Sequence, residues 1–124
     1  MKKIFYSFVL LAVATLSVYA QPEIRFERMV HDYGQVAQGA NGDTEFKFRN
    51  TGTEPLILFN VQTSCGCVTA PSWPREPIMP GQEGVIRINY NTQTTGPMGK
   101  AITVFSNAKT DRVTLRLAGN VNPR

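Results

Sequence analysis

The chain has 124 residues, 13 Lys and Arg against 9 Asp and Glu, a formal charge of +4 and 2 cysteines. That length suits one small domain with a real core rather than several. The basic residues are scattered, with no stripe of Lys and Arg interleaved with aromatics, so nucleic acid is not an expected partner.

Lys2 and Lys3 precede an apolar run from Ile4 to Val18, and small residues follow as far as Ala20. This is the pattern of a secretory signal peptide over residues 1–20, with cleavage after Ala20. The run is shorter than the roughly 20 residues that span a bilayer, and no stop-transfer charges follow it. No cysteine lies near the cleavage site to take a lipid. The mature chain, residues 21–124, is therefore expected outside the cytoplasm, periplasmic or secreted, with no membrane anchor. Without the two lysines the formal charge falls to +2.

Short apolar runs then alternate with turn clusters. Ile24 to Phe26 opens a first strand, and Tyr33 to Val36 reads as a continuation or switch strand after His31-Asp32. Gly39-Ala40-Asn41-Gly42-Asp43 is a turn cluster. Thr44 to Arg49 has period two, with Phe46 and Phe48 on one face and Glu45, Lys47 and Arg49 on the other. Asn50-Thr51-Gly52-Thr53-Glu54-Pro55 breaks that strand. Leu56 to Val61 is nearly all apolar and suits a central strand buried on both faces. Residues 69–82 carry Pro71, Pro74, Pro77 and Pro80 and read as an irregular extended loop. Gly84 to Tyr90, Ala101 to Phe105 and Val113 to Ala118 complete the set. About seven strands with no helical periodicity predict an all-β, immunoglobulin-like β-sandwich in one domain.

Ser64-Cys65-Gly66-Cys67 holds both cysteines of the chain. Residues i and i+2 of an extended segment point the same way, with Cα atoms near the limit of a bridgeable distance. A disulfide there closes a very small, strained ring, adds little stability in the chain-entropy model and is readily reduced. Three readings of the pair follow. It is a packed corner with no turnover, a labile redox pair, or a soft-metal site for Cu(I). A closed zinc site needs two further ligands, and the chain has only His31 as a histidine. A thioredoxin-like mechanism needs a helix N-terminus to activate the thiol, and none is predicted.

Two other features bear on function. His31 beside Asp32 resembles half of a nucleophile-activating arrangement. Adjacent strand residues face opposite ways, however, and no Gly-x-Ser-x-Gly elbow is present, so a surface His with a solvated Asp is expected. Trp73, between Pro71 and Pro74, is either an exposed anchor for a partner or a cover folded over the cysteines, and the cover is the preferred reading. A binding surface is expected at Ser64, Gly66, Thr69 and Trp73.

Several motifs together are familiar. Asp32-Tyr33-Gly34-Gln35-Val36 resembles an aromatic-Gly-x-Val motif of Hydin-type and major-sperm-protein-like immunoglobulin domains. Phe48-Arg49-Asn50-Thr51-Gly52 with Pro55-Leu56 resembles their strand-turn-strand element. Ser64-Cys65-Gly66-Cys67, followed by Ile78-Met79-Pro80-Gly81, Gly84, Ile86, Tyr90, Lys100, Ile102, Val104 and Ser106-Asn107, is similar to the bacterial secreted domain-of-unknown-function 1573 family. Val68 stands where a Thr usually follows the second cysteine of that family, and Thr69 comes one step later. The resemblance implies a β-sandwich outside the cytoplasm and no assigned activity. The leading functional reading is a non-catalytic extracytoplasmic interaction module. Its expected partner is a protein or envelope component, held through loops or a sheet edge, and it needs no cofactor. The alternative is a small thiol redox or Cu(I)-binding protein acting through Cys65 and Cys67. The sequence sets no oligomeric state.

Overall fold

A computed structural model of the protein describes residues 20–124, so the expected signal peptide lies outside the described residues. Eight strands follow in order: β1 (Ile24–Phe26), β2 (Val30–Ala37), β3 (Asp43–Asn50), β4 (Leu58–Thr63), β5 (Val68–Ser72), β6 (Glu83–Tyr90), β7 (Gly96–Ser106) and β8 (Arg112–Asn122). They form two four-stranded sheets, ordered β1-β3-β6-β5 and β2-β8-β7-β4. The protein is an all-β, immunoglobulin-like sandwich.

Period-two patterning builds the core. In β3, Phe46 and Phe48 are 0% and 2% exposed, while Lys47 and Arg49 face solvent. Opposite them in β6, Ile86 and Ile88 point inward, and the outer face is tied by Arg49 to Glu83 at 2.6 Å and Arg87 to Glu45 at 3.5 Å. In the second sheet Ile102 and Val104 of β7 and Leu115 and Leu117 of β8 supply the facing layer. β-Branched and aromatic residues fit such a half-buried pleated surface.

The first strand does switch sheets. β1 pairs antiparallel with β3, whereas β2 pairs parallel with β8 in the other sheet. The β2 ladder slips between Asp32 and Gln35, where Gly34 takes φ 68°. A Cβ is disfavoured at that φ, so the glycine of the aromatic-Gly-x-Val motif makes the bulge. The bulge leaves Tyr33 half-buried, and its hydroxyl donates to Gly42 O at 2.7 Å.

Two expectations are corrected. The run from Leu56 to Val61 is not a central strand buried on both faces. β4 is the edge of its sheet, paired only with β7, and Phe59 is 61% exposed. A short apolar run does not distinguish a buried strand from an edge strand. Residues 69–82 are not wholly irregular either, because β5 pairs with β6. Its Pro71 is tolerated because β5 is also an edge strand, with a register shift between Thr69 and Ser72. This hidden strand accounts for eight strands in place of about seven.

Asn50, read from sequence as a loop residue, is fully buried at 0% exposure and ends β3. Its Nδ2 donates to Glu54 O at 2.7 Å and Ile78 O at 2.9 Å. Its Oδ1 accepts from Gly52 N at 2.9 Å and Glu23 N at 3.4 Å. One amide thereby ties the start of β1, the end of β3, the loop after it and the segment before β6. A carboxylate cannot replace it, because it has no protons for the two carbonyls.

Truncating Phe46 or Phe48 to Ala should lower unfolding free energy by about 3–5 kcal/mol in urea titrations, the range for emptied aromatic core sites. Asn50→Ala should cost about 1–3 kcal/mol for each buried group left unpaired. Asn50→Asp should also destabilise despite its matching shape. A wild-type midpoint for Asn50→Asp would show that the two donated bonds do not hold the loop.

Candidate functional site

The cysteine corner sits where β4 ends and β5 begins. Its backbone is held from several directions. Ser64 N donates to Ala101 O at 3.0 Å, and Ser64 Oγ accepts from Ala101 N at 3.1 Å. Thr63 Oγ1 donates to Cys65 O at 3.2 Å, Val68 N donates to the same oxygen at 3.3 Å, and Asn91 N donates to Cys67 O at 2.8 Å. The turn is fixed by these bonds before any cross-link is counted. Cys65 and Cys67 are bridged, with Cα atoms 5.3 Å apart, within the ordinary range for disulfides rather than at its limit. Pinching at the turn brings the two Cα atoms together.

Both cysteines are half-buried and pack against the core, while Gly66 between them is exposed. Val68, at the position where the resemblance suggested a Thr, is 1% exposed and anchors the corner in the core. Thr69 is exposed on β5. Ser64 is committed to β7 through its backbone and hydroxyl. Trp73 is half-buried against the same core cluster, and the Arg75 guanidinium lies 3.6 Å from its ring centroid, within stacking range. The sequence-predicted residues Ser64, Cys65, Gly66, Cys67, Thr69 and Trp73 thus lie on one continuous stretch around the corner. The sequence reading missed Ile57 and Phe59, which are 37% and 61% exposed on and beside β4. The signal for them was present in the absence of any charge from Pro55 to Pro74.

His31 and Asp32 do not form a dyad. Asp32 Oδ1 accepts from Gly34 N at 2.8 Å, whereas His31 Nδ1 lies 2.7 Å from Arg28 Nη1 and the ring meets Tyr33 edge-on with centroids 4.5 Å apart. Partial burial lowers the His31 pKa, with the Arg28 charge acting the same way and Asp32 opposing it. The guanidinium has only donors, so Nδ1 is the acceptor of this bond. Arg28 also donates to Thr44 Oγ1 at 3.2 Å and Glu45 O at 3.0 Å, so the stack joins β2 to β3 across the sandwich edge. Burial first, and then the Asp43 charge, pushes the Tyr33 hydroxyl up to about 12.

A surface furrow of about 470 Å³ crosses the outer face of the first sheet, with Arg25, Lys47, Arg49 and Glu83 among its lining. Arg49 holds the Glu83 carboxyl below the usual carboxylate range. Among the described residues no three His, Cys, Asp or Glu side chains gather as a metal site, and no helix is long and apolar enough to cross a membrane.

Two four-stranded sheets with a strand that switches between them, and a bridged corner at one edge, define an immunoglobulin-like β-sandwich domain. The chain belongs to the family described as "Protein of unknown function (DUF1573)", which matches residues 24–121. No curated protein matches it. It is similar to a protein of unknown function from Porphyromonas gingivalis W83, at 22% identity and a TM-score of 0.73 over 86% of this chain and 50% of that one. The chain therefore spans half the length of that relative. It is also similar to the ASH/PapD-like domain 7 of human CEP192, at 8% identity and a TM-score of 0.68 over 88% and 92% of the two chains. A third likeness, at 10% identity and a TM-score of 0.55 over 80% and 57%, is to the CsuC-CsuE chaperone-tip adhesion subunit pre-assembly complex of Acinetobacter baumannii. At these identities the likeness shows the fold alone.

The Tyr33 shift has a testable sign. The phenol ionises near 10 when unfolded and near 12 when folded, so the fold favours its neutral form. Stability from this group is present below pH 10 and is lost as pH rises from about 10 towards 12. Denaturant midpoints measured across that window should fall for the wild type, and the fall should shrink in Tyr33→Phe. An equal fall in both proteins would remove Tyr33 as the cause.

Proposed function

We propose that this chain is a non-catalytic extracytoplasmic interaction module. It binds a protein or envelope component through the side of the sandwich that carries β4, the cysteine corner and the loop around Trp73. The observation that carries this reading is the exposure of Ile57 and Phe59 at the start of the edge strand β4, the end away from the cysteine corner but on the same charge-free side. Large exposed apolar groups clustered at an edge mark a contact surface. The three described residues with shifted pKa values, His31, Tyr33 and Glu83, are engaged in bonds that join segments of the fold. The signal-like residues 1–20 support a place outside the cytoplasm. The scattered basic side chains argue against nucleic acid as the partner. Likeness to a chaperone–adhesin complex supports a role in protein contacts for the fold, not for this chain in particular.

A second reading is favoured by the closed bridge at an exposed Gly66. A thiolate of a partner dithiol would attack one sulfur and release the other as thiolate, forming a mixed disulfide. The partner's second thiolate would then attack its own bridged sulfur, displace the remaining cysteine as thiolate and leave as the oxidised partner, placing two electrons on Cys65 and Cys67. Cu(I) binding needs the same reduced pair, because bridged sulfurs offer no thiolate.

The two readings separate in a Cys65→Ser/Cys67→Ser variant. The bridge closes so short a loop that its loss should cost less than about 2 kcal/mol. Place a photo-crosslinking residue at Phe59, with Thr114 as a control, in cells that make the protein. The module reading expects a discrete adduct from the first site only, and its persistence in the double-serine variant. An adduct that needs the cysteines and dissolves under reductant would transfer the function to thiol exchange. No adduct from Phe59 would sink the module.

A further inference from the structure

We propose that β4 accepts an extended, uncharged segment of another protein as an added strand, completing the open side of the sandwich between β4 and β5. This rests on the module reading above and gives it a binding mode and a partner chemistry.

The charge distribution sets that side apart. The chain carries 13 basic and 9 acidic residues, and none lies between Pro55 and Pro74. That stretch contains β4 and β5, which are the edge strands on one side of the sandwich. The edges on the other side, β1 and β2, carry Arg25, His31 and Asp32. Sheet edges are ordinarily protected by charge, proline or a bulge, because unpaired N–H and C=O groups recruit other strands. Here the charges are missing from both edges of one side.

The two edges are not equally open. β5 is interrupted by Pro71, and its register slips between Thr69 and Ser72. β4 has a bulge at its start, between Leu58 and Asn60, and then runs regularly from Asn60 to Thr63. Ser64 N donates to Ala101 O on β7. By the alternation of an antiparallel ladder, the N–H and C=O groups of Val61 and Thr63 point away from β7 to the open edge. Val61 N is occupied only by the side chain of Asn60, at 2.9 Å. An incoming carbonyl replaces that local bond.

Much of the half-buried layer around the core also lies there. Eight half-buried residues pack against it, and Val61, Cys65, Cys67, Ala70 and Trp73 are among them. All five lie in the charge-free stretch. A strand laid along β4 would send alternate side chains inward beside Val61 and Thr63, towards the bridge, and the others outward near Phe59. A charged side chain sent inward beside Val61 and Thr63 would lose water and meet no charged residue of β4 or β5, since Arg75 lies in the loop after β5, stacked on Trp73, so the partner segment must be neutral at those positions. Affinity comes from main-chain bonds and from the inward side chains packing beside Val61 and Thr63.

A second copy of this chain fits less well. In a symmetric β4 pair centred on Gln62, the bulge at Phe59 meets the other copy's turn at Cys65, which confines the ladder to a few residues. A free extended segment has no such turn.

The probe is a displayed library of random dodecapeptides panned on the folded protein. Enriched peptides should be uncharged with apolar residues at alternate positions. Adding one should slow amide exchange at Val61 and Thr63. Thr63→Lys should weaken it about tenfold or more, the size of one lost close contact, while Val30→Lys on the opposite edge should change little, with both variants checked for wild-type melting. Charged consensus peptides, no enrichment, or protection on β1 or β2 would overturn the proposal. A concentration-dependent dimer by light scattering, abolished by Phe59→Lys, would assign the edge to a second copy instead. A crosslink from Phe59 in cells without edge protection by any peptide would sink strand addition and leave the module reading standing.

Discussion

The carboxamide of Asn50 is the constraint on which the arrangement of this sandwich depends. That one buried side chain donates to Glu54 O and Ile78 O and accepts from Glu23 N and Gly52 N, four hydrogen bonds in all. Its backbone adds two more, from Asn50 N to Gln82 O and from Gly81 N to Asn50 O. Such a network is favourable only when complete, because each buried group left over costs more than the mean bond contributes. It therefore selects one path for the chain between β3 and β4 and one approach to β6. Leu56 and Ile78, which exchange two backbone bonds at 2.8 Å, lie directly beneath it.

That anchoring has a consequence for the opposite edge. With one end of the connection between β3 and β4 held at Asn50, β4 must run along β7 and leave the sandwich at the cysteine corner. The corner is held by backbone bonds to β7 and to Asn91, so the bridge adds a local clamp to a turn already fixed. This suits either a passive clamp beneath a binding surface or a pair whose reduction leaves the fold intact. The small loop makes both compatible with a stable domain.

Charge is divided in a way that hydrophobic burial alone does not require. Ion pairs Arg49–Glu83 and Arg87–Glu45 cover the outer face of the first sheet, and Arg28 binds β2 to β3 at one side. Among the described residues β4 and β5 carry no charged side chain, and the cation on that side, Arg75, lies beyond β5 on the ring of Trp73. Exposed pairs of this kind add little stability. Their placement matters more as a signal of which surfaces remain in water, and their absence from residues 55–74 marks the surface that does not resemble the rest.

The alternation of Phe46 and Phe48 with charged neighbours, and that of Val113, Leu115 and Leu117 with Arg112, Thr114 and Arg116, was enough to name an all-β sandwich. Side chains alternate across a strand whatever it pairs with, so inside and outside are local properties of the chain. The close spacing of Cys65 and Cys67 likewise determined that any bridge between them would be local. Pairing is not local. Whether Leu58 to Thr63 lies in the middle of a sheet or at its rim depends on β7 and on what fails to cover the other side, and no pattern within the segment records that. The prolines of residues 71–80 concealed β5 for the same reason, since a proline is excluded only where a neighbour needs its missing N–H. Asn50 looked like a turn former because its own neighbours are turn formers. Only the packed structure brings Glu23 and Ile78 to its amide, at sequence distances of 27 and 28 residues, and converts a loop residue into the buried tie of the fold.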